Sequence, residues 1–135
     1  MSYCLMLNHF HMLLYQFEKM DMEKFMRSLM TSYSRYLNLK YKRTGSVFES
    51  RYRAIKINQD EYLQHITRYI HLNPNKWKTY KYSSWKYYRD NNGPDWLKTT
   101  KVLDLFASKE AYVDYVADYE EVRDELAIVK NELID

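Results

Sequence analysis

Apolar positions change their spacing several times along this chain, and each change marks a predicted element. Residues 3–7 and 9–17 are dominated by Tyr, Leu, Phe and Met, which predicts two short strands joined at Asn8. Asp21 is a good helix N-cap. After it, Met22, Phe25, Met26, Leu29, Tyr33, Tyr36 and Leu37 recur at spacings of three and four, predicting an amphipathic helix to about Lys40. Gly45 breaks that pattern inside a basic loop, and Tyr52 to Ile57 alternates loosely enough to read as a strand. A second helix begins near Gln59–Asp60 and carries Tyr62, Leu63, Ile66, Tyr69 and Ile70. It must stop ahead of Pro74, which disfavours helical backbone in the residue before it. Residues 75–95 are aromatic and basic and read as mostly irregular, with a break at Gly93-Pro94. Residues 99–134 read as helical and acidic, with Val102, Leu105, Phe106, Tyr112, Tyr115 and Val116 on one face. The order of elements predicts an α+β fold in which an antiparallel sheet is covered by helices. One domain is expected over residues 1–95, followed by a helical acidic tail over 96–135.

Composition narrows the function. A chain of 135 residues, 46% hydrophobic, supports one core and not two. Fifteen tyrosines and three tryptophans are enough to serve interfaces and base stacking as well as that core. Cys4 is the sole cysteine, so no disulfide framework is expected and a reducing, cytoplasmic location is. No apolar run is long enough to cross a bilayer, no signal peptide is indicated, and no membrane partner is expected. Charge is divided along the chain. Residues 1–100 hold 17 Lys/Arg against 8 Asp/Glu, a net +9, whereas residues 101–135 hold 4 against 10, a net −6. The densest basic stretch carries Arg35, Lys40, Lys42, Arg43, Arg51, Arg53 and Lys56 against Glu49 alone, interleaved with Tyr36, Tyr41, Phe48 and Tyr52. Cations alternating with aromatics suit a polyanion whose bases can stack, although a solvated charged face has the same composition.

Two segments carry candidate chemistry. In His9-Phe10-His11 the imidazoles lie two residues apart, so on a strand they share one face. Their backbones are then roughly 6–7 Å apart, and the rings can converge on one metal ion. A lone His-x-His also arises from two unrelated histidines. In Arg68-Tyr69-Ile70-His71-Leu72-Asn73-Pro74, Tyr69 and Asn73 are four apart and lie one helical turn from each other. There a phenol stands beside an amide oxygen suited to Mg²⁺ or Mn²⁺. Tyr69 reads equally well as a core aromatic, and Asn73-Pro74 as an ordinary helix terminus. Zinc is not expected, because Cys4 is the only thiol and no third His or Cys has ligand spacing.

Taken in order, "YCLMLNHFHMLL", "FMRSLMTSYSRYLNLKYKRTGSVFESRYRAIKI" and "DEYLQHITRYIHLNPNK" resemble the single-tyrosine HUH transposases of bacterial insertion sequences (the IS200-like superfamily). Within that superfamily these segments resemble the REP-associated tyrosine transposases. The likeness covers about residues 2–90, and a weaker one continues through "VLDLFASKEAYVDYV". It implies a ferredoxin-like HUH endonuclease core in which His9 and His11 bind the divalent metal, Tyr69 is the nucleophile and Asn73 completes the metal site. The implied activity is nicking and strand transfer on single-stranded or hairpin DNA through a 5′-phosphotyrosine, with Mg²⁺ or Mn²⁺, in a homodimer associated with the nucleoid. A tyrosine with its ordinary pKa near 10 needs the metal or a cation such as Arg68 to favour the phenolate. The chain departs from the family pattern in two places. The usual strand and helix ahead of the His-bearing segment are lacking, which predicts a sheet edge with unpaired backbone groups. Glu49-Ser50 stands where a Gln-Gly-like pair is expected. Two other readings remain: a catalytically inactive DNA-binding remnant of such a transposase, and a single-stranded RNA-binding protein.

Overall fold

A computed structural model describes residues 1–119. Among them the elements run β1 (Ser2–Leu5), β2 (Phe10–Leu13), α1 (Asp21–Lys40), α2 (Asp60–Leu72), a 3₁₀ turn (Trp77–Thr79), α3 (Trp85–Asp90), α4 (Thr100–Leu103) and α5 (Lys109–Ala117). The described residues form two compact units, one of residues 1–14 with 55–119, the other of residues 15–54. The α+β class holds, with an antiparallel sheet and helices.

The sheet is the β1–β2 hairpin, with Ser2 opposite Leu13, Cys4 opposite His11 and Leu5 opposite Phe10. A further bond from Met6 N–H to His9 C=O (2.8 Å) closes the turn around Leu7-Asn8. Side chains alternate across the pleat, so Ser2, Cys4, Met6, His9, His11 and Leu13 share the inner face. Burial along this face is graded: Ser2, Cys4 and Leu13 are buried, His11 and Met6 are half-buried, and His9 at the turn is exposed. The ladder is shorter than residues 3–7 and 9–17 predict. Pairing ends at Ser2–Leu13, and Leu14, Tyr15 and Phe17 beyond it are exposed.

The outer edge of β1 does not stand open as the sequence led us to expect. Leu5 N–H donates to Tyr82 C=O (2.9 Å) and Ser84 N–H donates to Tyr3 C=O (3.0 Å), around a bridge between Cys4 and Ser83. Tyr80 adds its hydroxyl to Leu5 C=O (2.6 Å). A distant segment of the same chain thus satisfies groups that an edge strand otherwise leaves to water or to another molecule.

Helix α2 lies over the inner face of the hairpin. Its stripe of Tyr62, Leu63, Ile66, Tyr69 and Ile70 is the one predicted, and Ile66, Tyr69 and Ile70 join Cys4 and Leu13 in the core. Each large apolar side chain buried there contributes about 1.5–3 kcal/mol. The cluster is completed by Trp85, Tyr88, Val102, Tyr112 and Val116 from α3, α4 and α5. Ser108 caps α5 by accepting from Ala111 N–H (3.0 Å).

Several expectations change. Residues 52–57 form no strand, since the only ladder among the described residues is β1–β2 and a strand without a partner has no place for its backbone bonds. Asp21 is not the N-cap of α1. That place falls to Met20 without a side-chain bond, and the Asp21 carboxylate accepts from Glu18 N–H (2.9 Å) instead. The stretch expected to be irregular contains α3, whose Trp85 and Tyr88 are buried. The expected tail helix is interrupted between α4 and α5, and its remainder past residue 119 lies outside the described residues. No described helix is long and apolar enough to cross a membrane.

The unit of residues 15–54 is α1 and the loop that follows it. Helix α1 ends at Lys40, where Lys42 (φ 49°) and then Gly45 (φ 92°) turn the chain through left-handed conformations. Space around Gly45 is open, so the positive φ alone is what favours glycine there. Asn38 fastens the loop to the helix by donating to Gly45 C=O (3.0 Å).

His71 is the polar centre of the core. It is fully buried, with Nδ1 2.6 Å from the Tyr112 hydroxyl and Nε2 2.8 Å from Ser84 Oγ. Because Ser84 Oγ donates to Tyr3 C=O (3.2 Å), it accepts from Nε2–H, and Tyr112 donates to Nδ1. Both ring nitrogens are satisfied in the neutral form, and burial holds the pKa down at about 3. An unfolded chain protonates this ring near 6.5. Stability is therefore full above about pH 6.5 and falls as pH drops toward 3, by up to about 1.4 kcal/mol per pH unit. Urea midpoints measured from pH 7.5 to 4 should show this fall in the wild type and a flatter profile in His71→Gln, whatever the variant's starting stability. Identical slopes would refute the assignment.

Candidate active site

The geometry brings together four side chains that sequence places on two elements. His9 and His11 share the inner face of the hairpin with ring centroids 5.1 Å apart and nearly perpendicular planes. Tyr69 comes from α2 with its ring 5.4 Å from that of His11. Asn73 follows one turn later, near enough for its amide to oppose the rise in the Tyr69 phenol's pKa. This pairing depends on an uncommon backbone choice. Although Asn73 precedes a proline, it keeps helical dihedrals (φ −57°, ψ −44°), so it continues the face that Tyr69 occupies.

Electrostatics follow from the graded burial. Burial first, and the neighbouring His9 second, push the His11 pKa down to about 4, so its ring is neutral and keeps a lone pair at ordinary pH. His9 Nδ1 lies 2.7 Å from Asn8 Oδ1, an oxygen that can only accept, so Nδ1 carries a proton and Nε2 is the ring nitrogen left for another partner. Tyr69 is 8% exposed, and burial raises its phenol above the ordinary value, with the hydrogen bond from Asn73 opposing the rise. The Asn73 amide offers N–H groups that favour a phenolate and an Oδ1 that can accept or ligate.

This donor set consists of two imidazole nitrogens and one amide oxygen. Among the described residues no group of three or more His, Cys, Asp or Glu could hold a metal ion, so a closed structural site is not formed. Two imidazole nitrogens and a carbonyl-type oxygen fit an open site for Mn²⁺ or Mg²⁺, in which water or phosphate would fill the remaining positions. Cys4 stands opposite His11 but is buried, and its thiol is pushed up to about 11, which leaves it a core residue rather than a ligand.

The expected DNA-contacting cations separate. Arg35, Lys40, Lys42, Arg43, Arg51 and Arg53 are exposed on the unit of residues 15–54, and Lys56 is exposed on the other unit. Lys40 lies 5.5 and 5.4 Å from the ring centroids of Tyr36 and Tyr41, while Arg43 donates to Ser46 C=O (3.2 Å). Arg68 is placed elsewhere than expected. It is 1% exposed, stacked 4.0 Å from the Tyr115 ring centroid and 2.9 Å from His65 Nδ1. On a helix, Arg68 points about 100° away from Tyr69. It is a core cation and not a surface contact for a phosphate backbone. Asn8, read from sequence only as the joint between strands, has a further role in orienting His9; its place directly before the His-x-His was the available signal.

The family described as "Transposase IS200 like" matches residues 1–73, more than half of the chain and all four residues of this cluster. The chain belongs to this family; it is a transposase-family protein that handles DNA. Neither the curated proteins nor the solved structures contain a match.

Two expected outcomes follow. Mn²⁺ titration monitored by electron paramagnetic resonance should show weaker binding in a His9→Ala/His11→Ala variant, on the order of tenfold or more, since even an outer-shell change commonly costs about that much. Equal affinities would remove His9 and His11 from the metal site. For DNA, Arg51→Glu with Arg53→Glu should lower affinity for a single-stranded oligonucleotide and reduce the slope of log affinity against log salt by about two. An unchanged slope would show that these arginines do not meet phosphate.

Proposed function

We propose that this transposase cuts one DNA strand and rejoins it through a covalent link to Tyr69, using a divalent metal held by His9, His11 and Asn73. The observation supporting this reading is the convergence of Tyr69 on His11, with ring centroids 5.4 Å apart and His9 beside them. Tyr69 Oη attacks the scissile phosphorus. The Oη–P bond forms as the P–O3′ bond breaks, the phenolic proton leaves, and the departing 3′ oxygen is protonated to a free hydroxyl. The 5′-phosphate stays on Tyr69 as a phosphodiester. Bond energy is thus retained, and a second 3′-hydroxyl can reverse the step and join strands without ATP. His9, His11 and Asn73 Oδ1 would hold the cation, which would supply Lewis-acid charge to the phosphate oxygens. Asn73 would serve twice, its amide N–H favouring the phenolate and its Oδ1 available to a cation.

The raised phenol sets the pH dependence. At neutral pH Tyr69 is protonated, so the rate should climb with pH toward the phenol's own range. Burial of Tyr69 to 8% exposure is the one observation that favours the rival, a DNA-binding protein of the same fold that does not cut. Incubation with a single-stranded hairpin oligonucleotide and Mn²⁺ decides between them. A protein–DNA adduct that survives denaturation is expected from the wild type and absent from Tyr69→Phe, with DNA binding nearly unchanged. Asn73→Ala should slow adduct formation and move its alkaline rise to higher pH, because the bond that favours the phenolate is gone. An adduct that persists in Tyr69→Phe and maps to Tyr62 would overturn the assignment.

A further inference from the structure

The face of the β1–β2 hairpin turned away from His9 and His11 has its own organisation. Tyr3 and Leu5 lie on it by alternation, and Tyr82 joins them through the edge bond to Leu5. Tyr3 stacks on Trp96 with ring centroids 6.2 Å apart, and the nearby Tyr87 phenol helps raise its pKa. Leu5, Tyr82 and Trp96 are 40, 52 and 68% exposed. Lys81 lies 4.9 Å from the Tyr82 ring centroid and Lys86 4.7 Å from that of Tyr87. Large exposed aromatics are costly to leave in water; here Tyr3 and Trp96 stack, backbone pairing sets Tyr82 beside Leu5, and lysines lie over Tyr82 and Tyr87.

Charge identifies the occupant. Residues 76–89 contain Lys76, Lys78, Lys81, Lys86 and Arg89 and no acidic residue. Arg89 is engaged by Asp90 (2.7 Å), which leaves the lysines as the unneutralised charge of this segment. Against a second copy of this chain, a symmetric contact would set the patch on itself and bring Lys81 and Lys86 against their own equivalents. Flat rings beside lysines suit a flexible polyanion with unpaired bases, and each stacked base contributes a sequence-tolerant increment of binding.

We propose that Tyr3, Tyr82, Tyr87 and Trp96, with Lys81 and Lys86, form a stacking platform for unpaired bases of single-stranded DNA on the face opposite the Tyr69 site. The platform rests on the protein handling DNA and not on Tyr69 chemistry. A strand held there is tethered to the cutting unit without occupying the metal and tyrosine residues.

The test uses the full chain, labelled oligo(dT) and EDTA, so that binding is read without cutting. Trp96→Ala with Tyr82→Ala should weaken binding by about tenfold or more, and Trp96→Phe with Tyr82→Phe should restore most of it, since a phenyl ring still stacks. Lys81→Glu with Lys86→Glu should lower the salt slope by about two. Oligo(dT) should quench the tryptophan emission of the wild type more than that of Trp96→Phe. Because no covalent product is measured, failure of Tyr69 to form an adduct leaves this result intact. The platform is overturned if the wild type does not bind oligo(dT) or if the alanine pair binds it within twofold of wild type. It is equally overturned if light scattering shows that the alanine pair abolishes self-association while oligo(dT) binding persists.

Discussion

The packing of one helical stripe against one strand face governs the rest of this unit. Ile66, Tyr69 and Ile70 on α2 meet Cys4 and Leu13 on the hairpin, so a period of 3.6 residues is set against a period of two. Both phases are thereby fixed. If the hairpin register slipped by one residue, His9 and His11 would turn to the opposite face. If α2 rotated by one residue, Arg68 or Ile70 would take the place of Tyr69 beside His11. The core in this way aims the candidate nucleophile, and the buried His71–Ser84–Tyr112 network helps hold α2 to the residues around it.

The site lies where burial gives way to solvent along the hairpin. Cys4 and Leu13 are closed off, His11 is intermediate and His9 is exposed. Burial keeps the His11 imidazole neutral, which suits a metal ligand, yet the same burial makes the Tyr69 phenol harder to ionise. Asn73 acts against that second effect through its hydrogen bond, and a bound cation would act in the same direction. A deeper site would hold the phenol more firmly neutral, and a shallower one would hydrate both histidines.

The segment matched to the IS200-like transposases ends at Asn73, but the core does not. Trp85, Tyr88, Val102, Tyr112 and Val116 close the cluster beneath α2, and Tyr82–Ser84 covers the outer edge of β1. Residues beyond the family segment thus complete the surroundings of residues within it. For Val102, Tyr112 and Val116 the acidic balance of residues 101–135 gives no sign of this role, because net charge reports on the solvated face of a helix and says little about its buried one.

Periodicity determined much by itself. The stripe of α2, the span of α1 to Lys40, the α+β class and the shared face of His9 and His11 all follow from spacing, because local geometry alone puts residues two or four apart on a common side. The His-x-His and Tyr69 with Asn73 could be nominated from the sequence for the same reason. Long-range packing decided the rest. Only the tertiary structure brings Tyr69 to His11 across 58 residues of chain, buries Arg68 against Tyr115, and assigns Tyr82–Ser84 to the strand edge that residues 52–57 do not occupy. Strand formation and cation burial depend on which partner is within reach, and a partner distant in sequence leaves no mark on local spacing.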